Sequence, residues 1–163
     1  MPIEVREAQP DEYGAIGDLT VAAYADVLPA EDAEYLDEIR DVARRAESCT
    51  ILAAVDDGGA LLGAVTYVPG PGTPYSESEA EGEAGFRMLA VSPTAQGRGV
   101  GRALVGSCVA RARAQGARRL VLLTLPSMAR ARRIYESFGF RRAPRRDWMP
   151  VPYITLRGYE LDL

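Results

Sequence analysis

Hydrophobic and polar positions change period repeatedly along the chain, and each change marks an element. Ile3 and Val5 alternate with polar neighbours as a short first strand. From Pro10 and Asp11 the spacing lengthens: Ile16, Leu19, Ala23 and Val27 stripe one side of a helix expected through about Tyr24, and Pro29 breaks it. A second amphipathic helix is expected over residues 32–46, with Tyr35, Leu36, Ile39, Val42 and Ala43 on one face. Residues 50–55 and 61–68 read as antiparallel strands joined by a hairpin turn at 56–59. Residues 69–82, rich in Pro, Gly, Ser and Glu, read as a mobile loop too polar to pack.

The second half has a different rhythm. A strand over 83–91 leads into the glycine run Gly97, Gly99 and Gly101, after which Val100, Leu104, Val105, Cys108, Val109 and Ala112 mark the buried side of a helix. Gly116 ends that helix, and residues 119–125 form a nearly continuous apolar run suited to a buried strand, giving a parallel strand–helix–strand unit. Pro126 and Ser127 are expected to cap a further helix that buries Ala131, Ile134, Tyr135 and Phe138 and closes at Gly139. Residues 141–152 read as an irregular basic connection containing Trp148, and 154–161 as a last antiparallel strand. The sum is an α/β chain with a mixed sheet, and its 163 residues suit one domain spanning 1–163.

The glycine run carries the chemistry. A helix N-terminus exposes backbone N–H groups without intrahelical partners, and the helix dipole adds partial positive charge there. Glycines let a phosphate approach those amides, and Arg98 and Arg102 add formal charge, so the segment reads as a diphosphate cradle; the plain alternative is a surface turn before a structural helix. A P-loop would need Lys and Ser or Thr after its last glycine, and the chain has no lysine. A dinucleotide fingerprint would need glycine where Arg102 stands.

What fits is Gln96-Gly97-Arg98-Gly99-Val100-Gly101, a Q-x-x-G-x-G run preceded by Leu89, Ala90 and Val91. It resembles the acetyl-coenzyme A signature of the GNAT (GCN5-related) N-acetyltransferases. Ala131, Ile134, Tyr135, Glu136, Phe138, Gly139 and Phe140 resemble a second segment of that family at the expected distance. The resemblance implies a GNAT fold: a mixed sheet of about seven strands, helices on both faces, and a fourth and fifth strand that run parallel and splay apart. It implies an N-acetyltransferase in which an amine attacks the thioester of acetyl-CoA directly. Leu89, Ala90 and Val91 would offer amides to the pantetheine arm, that of Leu89 facing the thioester oxygen, and residues 97–102 would hold the diphosphate.

By the same resemblance Tyr135 is the general acid beside the sulfur. The base is open. Gly85 and Leu123 stand where some relatives carry a glutamate, so Glu83 and Glu81 are the candidates, although Glu83 lies about 20 Å from Leu89 along an extended strand, a gap that a water chain or a bulge would have to bridge. Met128 occupies the place of a cofactor-contacting asparagine, with Ser127 as a weak substitute. The acceptor side is expected from Tyr24, Tyr35, Glu31, Asp32 and Glu34 in the first helices, from Tyr75, Glu77, Glu79 and Glu81 in the loop as a flap, and from Trp148. A homodimer is plausible from the family. The alternatives are a coenzyme A sensing module without turnover, a longer acyl group, or an oxygen acceptor.

Composition adjusts this picture in three places. Residues 1–90 hold 19 acidic and 5 basic side chains and residues 91–163 hold 4 acidic and 14 basic, so a basic half would gather the polyanionic cofactor while an acidic half would favour a cationic acceptor, a small molecule or peptide; solvated helix faces are the plainer reading. The net charge of −4, with no basic run interleaved with aromatics, gives nucleic-acid binding no support. No histidine is present, and Cys49 and Cys108 form neither a zinc cluster nor a disulfide framework, so no metal is expected. Without a signal-peptide pattern or a membrane-length apolar run, a cytoplasmic location is expected.

Overall fold

In the computed structural model, which describes residues 2–28 and 33–163, β1 (Glu4–Glu7), β2 (Thr50–Val55), β3 (Leu61–Val68), β4 (Glu83–Val91), β5 (Arg119–Thr124), β6 (Arg141–Arg142), β7 (Trp148–Val151) and β8 (Ile154–Asp162) alternate with α1 (Tyr13–Ala25), α2 (Ala33–Arg40), α3 (Val42–Ala46), α4 (Val100–Ala114) and α5 (Ala129–Ser137). The strand order is β1-β2-β3-β4-β5-β8-β6, with β7 paired to β8 alone. Among the described residues only β4 and β5 run parallel.

Alternation along β2 builds a core on each face of the sheet. Ile51, Ala53 and Val55 pack with Ile16 of α1 and Val42 of α3, while Leu52 and Ala54 join Leu104, Val105 and Cys108 of α4 on the other side. The parallel crossover through α4 brings β5 beside β4, as short right-handed connections require. The ladder between them stops early, pairing only Glu83, Gly85 and the residue between with 119–121; beyond Gly85 and Val121 the strands part. On its other side β4 shifts register against β3 between Ala64 and Thr66, and Met88 takes φ 58°, so Met88 and Leu89 together oppose Val65 as a bulge.

Three expectations are corrected. The helix over 32–46 is two helices: Asp41 breaks it and its side chain accepts from the Arg44 amide as the N-cap of α3. Ala43 consequently faces solvent, whereas Ile39 and Val42 are buried. The loop over 69–82 has no regular structure but does pack, because Tyr75 is buried and the Ser76 and Ser78 side chains tie it to itself and to β4. The connection over 141–152 contains β6, a 3-10 turn at Pro144–Arg146 and β7. The Pro29 break lies outside the described residues.

Candidate active site

The glycine run forms a turn into α4. Gly97 and Gly99 take φ 80° and 82°, the left-handed region where a side chain would strain the backbone, and a Cβ at either would point into open space. The turn therefore presents bare backbone at the end of a 15-residue helix. Val100 is buried and packs into the core beneath the turn. Gly101 serves packing instead of openness: it is buried on α4, where a Cβ would come within 2.9 Å of Ile134 Cδ1. Gln96 accepts from Arg130 Nη1 at 2.7 Å, and Arg102 donates to Ser137 Oγ at 2.9 Å, so both ends of the run are tied to α5. Arg98 is exposed on the turn.

Where β4 and β5 part, a cavity of about 640 Å³ opens. Arg87 and Met88 line it from β4, Leu123 and Thr124 from β5 and Leu125 just beyond it; Tyr24 and Tyr35 come from the helices and Trp148 from β7. Met128, the N-cap of α5, reaches the same space. Ser127 lies instead on a separate shallow recess, and α5 begins without a side-chain cap. Leu89 and Ala90 are buried and Val91 half-buried beside the parting strands.

Tyr135 projects from α5 into an aromatic cluster, with ring centroids 5.7 Å from Phe86 and 6.0 Å from Phe140. It is 5% exposed, and its hydroxyl has no protein hydrogen-bond partner among the described residues. Burial, with the neighbouring Tyr24 next, pushes its acidity well above the ordinary phenol value, so the proton stays on. The open turn at Gly97 and Gly99, with bare backbone at a helix N-terminus, fits an anion.

The two base candidates at the start of β4 fare differently from expectation. Glu83 is buried in a cluster of ion pairs: its carboxylate takes Arg119 Nη1 at 2.9 Å and Arg146 Nη2 at 2.8 Å, with Ser78 Oγ also donating. Burial alone would raise its pKa, but the bonds from Arg146, Ser78 and Arg119 outweigh it and hold it at about 2. That carboxylate is a poor proton acceptor and ties β4 to β5 and to the turn before β7. Glu81 is exposed and off the cavity; its carbonyl accepts from Arg118 Nε at 3.1 Å.

The loop delivers another carboxylate. Glu77 lines the cavity, and desolvation lifts its pKa to about 7, although Arg87 and the Leu123 amide pull it back in part. It thus stands beside Leu123 of β5. Glu79 also lines the cavity, at its exposed rim. Glu31 and Asp32 lie outside the described residues, and Glu34 is exposed on the first turn of α2. Sequence reading placed Glu77 only in a flap, and the signal for more was Tyr75, an aromatic anchor two residues earlier that fixes the loop over Arg87.

The acidic side chains of the basic half are held by its arginines. Arg141, Arg145 and Arg146 surround Glu160, Arg119 and Arg141 hold Asp162, and Arg142 grips Asp147 at 2.6 Å. In the acidic half, Arg45 is 1% exposed and spends its guanidinium on Thr66 Oγ1 and on the Glu38 and Ile39 carbonyls at the end of α2. Among the described residues, no group of three or more His, Cys, Asp or Glu is placed to hold a metal ion, and no helix is long and apolar enough to cross a membrane.

The parting parallel pair, the glycine turn and the buried helix tyrosine are the features that the resemblance implies, and sequence comparison shows the family. Residues 10–140 match the acetyltransferase (GNAT) family, and the chain belongs to it. It is similar to a mycothiol acetyltransferase from Beutenbergia cavernae, 40% identical over 85 residues that make up 52% of this chain and 26% of that relative, so the chain matches well under two thirds of the relative's length. Among solved structures, a GNAT-family acetyltransferase from Staphylococcus aureus Mu50 superposes with a TM-score of 0.76 at 14% identity, covering 99% of both chains. A GCN5-related N-acetyltransferase from Kribbella flavida gives 0.68 at 24%, covering 99% of this chain and 98% of that one. A putative acetyltransferase from Salmonella typhimurium, yncA, solved with its cofactor acetyl-CoA, gives 0.68 at 20%, covering 99% and 94%. These likenesses show the fold.

Proposed function

We propose that the chain is an acetyl-CoA-dependent N-acetyltransferase that passes the acetyl group directly to an amine held in the 640 Å³ cavity. The observation that carries this reading is the parting of β4 and β5 beyond Gly85 and Val121, which opens a cavity with Glu77 on its wall, in a chain whose glycine turn at Gly97 and Gly99 leaves bare backbone at the start of α4. When bound, acetyl-CoA supplies an acyl group activated as a thioester.

The backbone of the glycine turn and of the first residues of α4, over 97–102, would hold the diphosphate, with Arg98 and Arg102 adding charge; Ala90 and Val91 would offer backbone to the pantetheine arm. The Leu89 N–H, set by the bulge at Met88, donates to the acyl oxygen, a fixed dipole of the kind that lowers a barrier by about 3 kcal/mol. Glu77 accepts the proton of the acceptor's ammonium, because a carboxylate near pH 7 is matched to that task as Glu83 is not. Tyr135 donates through its hydroxyl to the departing sulfur. Its raised pKa makes it a strictly protonated partner that stabilises charge there by hydrogen bonding.

The test is release of coenzyme A thiol from acetyl-CoA across a panel of amines and amino acids, with Tyr135→Phe in parallel and an amine-free blank for Cys49. Amine-dependent release that falls about 100-fold in the variant, with coenzyme A binding by calorimetry unchanged, is expected. Release insensitive to Tyr135 removes its role, and coenzyme A binding with no acceptor turned over refutes the transferase reading.

A further inference from the structure

Glu77 and Arg87 face the same cavity, yet no ion pair joins them, whereas Glu83, Asp147, Glu160 and Asp162 are each closed on an arginine. Arg87 is half-buried, and among the described residues it makes two long bonds, to the Tyr75 carbonyl at 3.3 Å and the Tyr35 hydroxyl at 3.5 Å. A guanidinium has five donors in a planar fork, and leaving most of them unspent beside a desolvated carboxylate is costly unless something completes the pair. The gap between the two charges is therefore a place for a molecule that carries both signs.

Resting on the transferase reading above, we infer that the acceptor is a free α-amino acid with a large apolar or aromatic side chain, its ammonium received by Glu77 and its carboxylate by the fork of Arg87. The carboxylate suits Arg87 because planar bidentate pairing is what a guanidinium does best. The ammonium then sits on the group that takes its proton. The remaining wall is apolar: Met88, Leu125, Trp148, Val151 and Leu156 line it, and the 640 Å³ volume leaves room beyond the charged pair for a side chain. Trp148, 58% exposed, adds an aromatic face to that lining.

The other charged groups do not compete for this role. Arg146 reaches the cavity but is spent on Glu83 and Glu160, and Glu38 and Glu79 are exposed at the rim. A polyamine would set a second cation against Arg87, and a simple amine or a peptide N-terminus would leave the guanidinium without an anion.

The experiment compares L-phenylalanine and L-leucine with their amides and with phenethylamine and isopentylamine, by thiol release from acetyl-CoA and by calorimetry in the presence of coenzyme A. Free amino acids are expected to exceed the amides and amines in kcat/KM by about 10- to 100-fold. Arg87→Gln should erase that preference, and Arg87→Lys should keep part of it. The ratio between acceptors is the readout, since damage to the fold lowers all of them together. Amines or amides used as well as amino acids by the wild type, or a preference unmoved by Arg87→Gln, overturn the inference and leave the transferase reading standing. Amino acids that bind through Arg87 without thiol release sustain the zwitterion site and overturn the transferase reading. Binding and turnover of none of the six compounds overturns the inference.

Discussion

Replacing Glu77 by glutamine keeps the side chain's volume and removes its titration, which turns the identity of the base into a question about the shape of a pH profile. Glu77 has a pKa of about 7 against 4.5 for an ordinary glutamate, raised chiefly by desolvation. At pH 6 about a tenth of it is ionised and at pH 8 about nine tenths. If Glu77 takes the proton, the productive form pairs the carboxylate with the acceptor's ammonium. kcat/KM should then rise about tenfold per pH unit below 7, level off, and fall only above the acceptor's own pKa. In Glu77→Gln the productive acceptor must arrive already deprotonated. Its kcat/KM should lie about 100-fold lower at pH 7 and climb about tenfold per unit without a break from pH 6 to 9. Initial rates of thiol release at subsaturating acceptor, pH 5.5 to 9.5, give both curves. A wild-type profile that climbs through pH 8 with no inflection near 7 refutes the assignment, as does an inflection that survives in the variant.

Two further outcomes follow from the same geometry. Glu83→Gln should destabilise the protein by about 3 kcal/mol in urea unfolding, because Arg119 and Arg146 lose a buried partner, while the inflection near pH 7 stays in place. Since the folded pKa of Glu83 is depressed to about 2, its contribution is present above 4.5 and lost as pH falls from there toward 2; the urea midpoint should drop over that window in the wild type and less so in the variant. Gly99→Val places a branched side chain at φ 82° with nothing to clash against, so about 1–2 kcal/mol of backbone strain should lower Tm by several degrees and weaken coenzyme A binding at least tenfold by calorimetry.

How much of this was legible in the sequence depends on what each feature is made of. The cradle is made of backbone, so its requirement is local: a strand, glycines able to take positive φ, and a helix start, all within 83–101. That pattern survives any change in surroundings, and it was readable. The strands and α4 were readable for the same reason, since period and Gly116 are local signals. The break at Asp41 was not, because apolar spacing runs through it and only the Asp41 side chain capping Arg44 gives it away. Nor were β6 and β7, whose residues carry no alternation of their own and become strands because β8 offers them an edge. The bulge at Met88 is likewise invisible in the sequence, since it is a mismatch between two strands.

The acceptor side is made of side chains from separate elements, and there a residue's chemistry is decided by neighbours far along the chain. Glu77 and Glu83 show this most plainly. Both are glutamates in or beside the same acidic loop, and burial is the largest single influence on each carboxyl. Glu83 meets Arg119 and Arg146, 36 and 63 residues away, and becomes a fixed anion near 2. Glu77 meets a cavity wall and an arginine held just out of reach, and is poised near 7. Desolvation pushes both in the same direction, and the difference is pairing alone. Strand alternation favoured Glu83 because it counts residues along one chain segment; proton chemistry favours Glu77 because it counts partners. A carboxylate left partly unpaid in such a cavity is retained only where something else completes it, which is why the acceptor's own charges are the natural missing members of the pair.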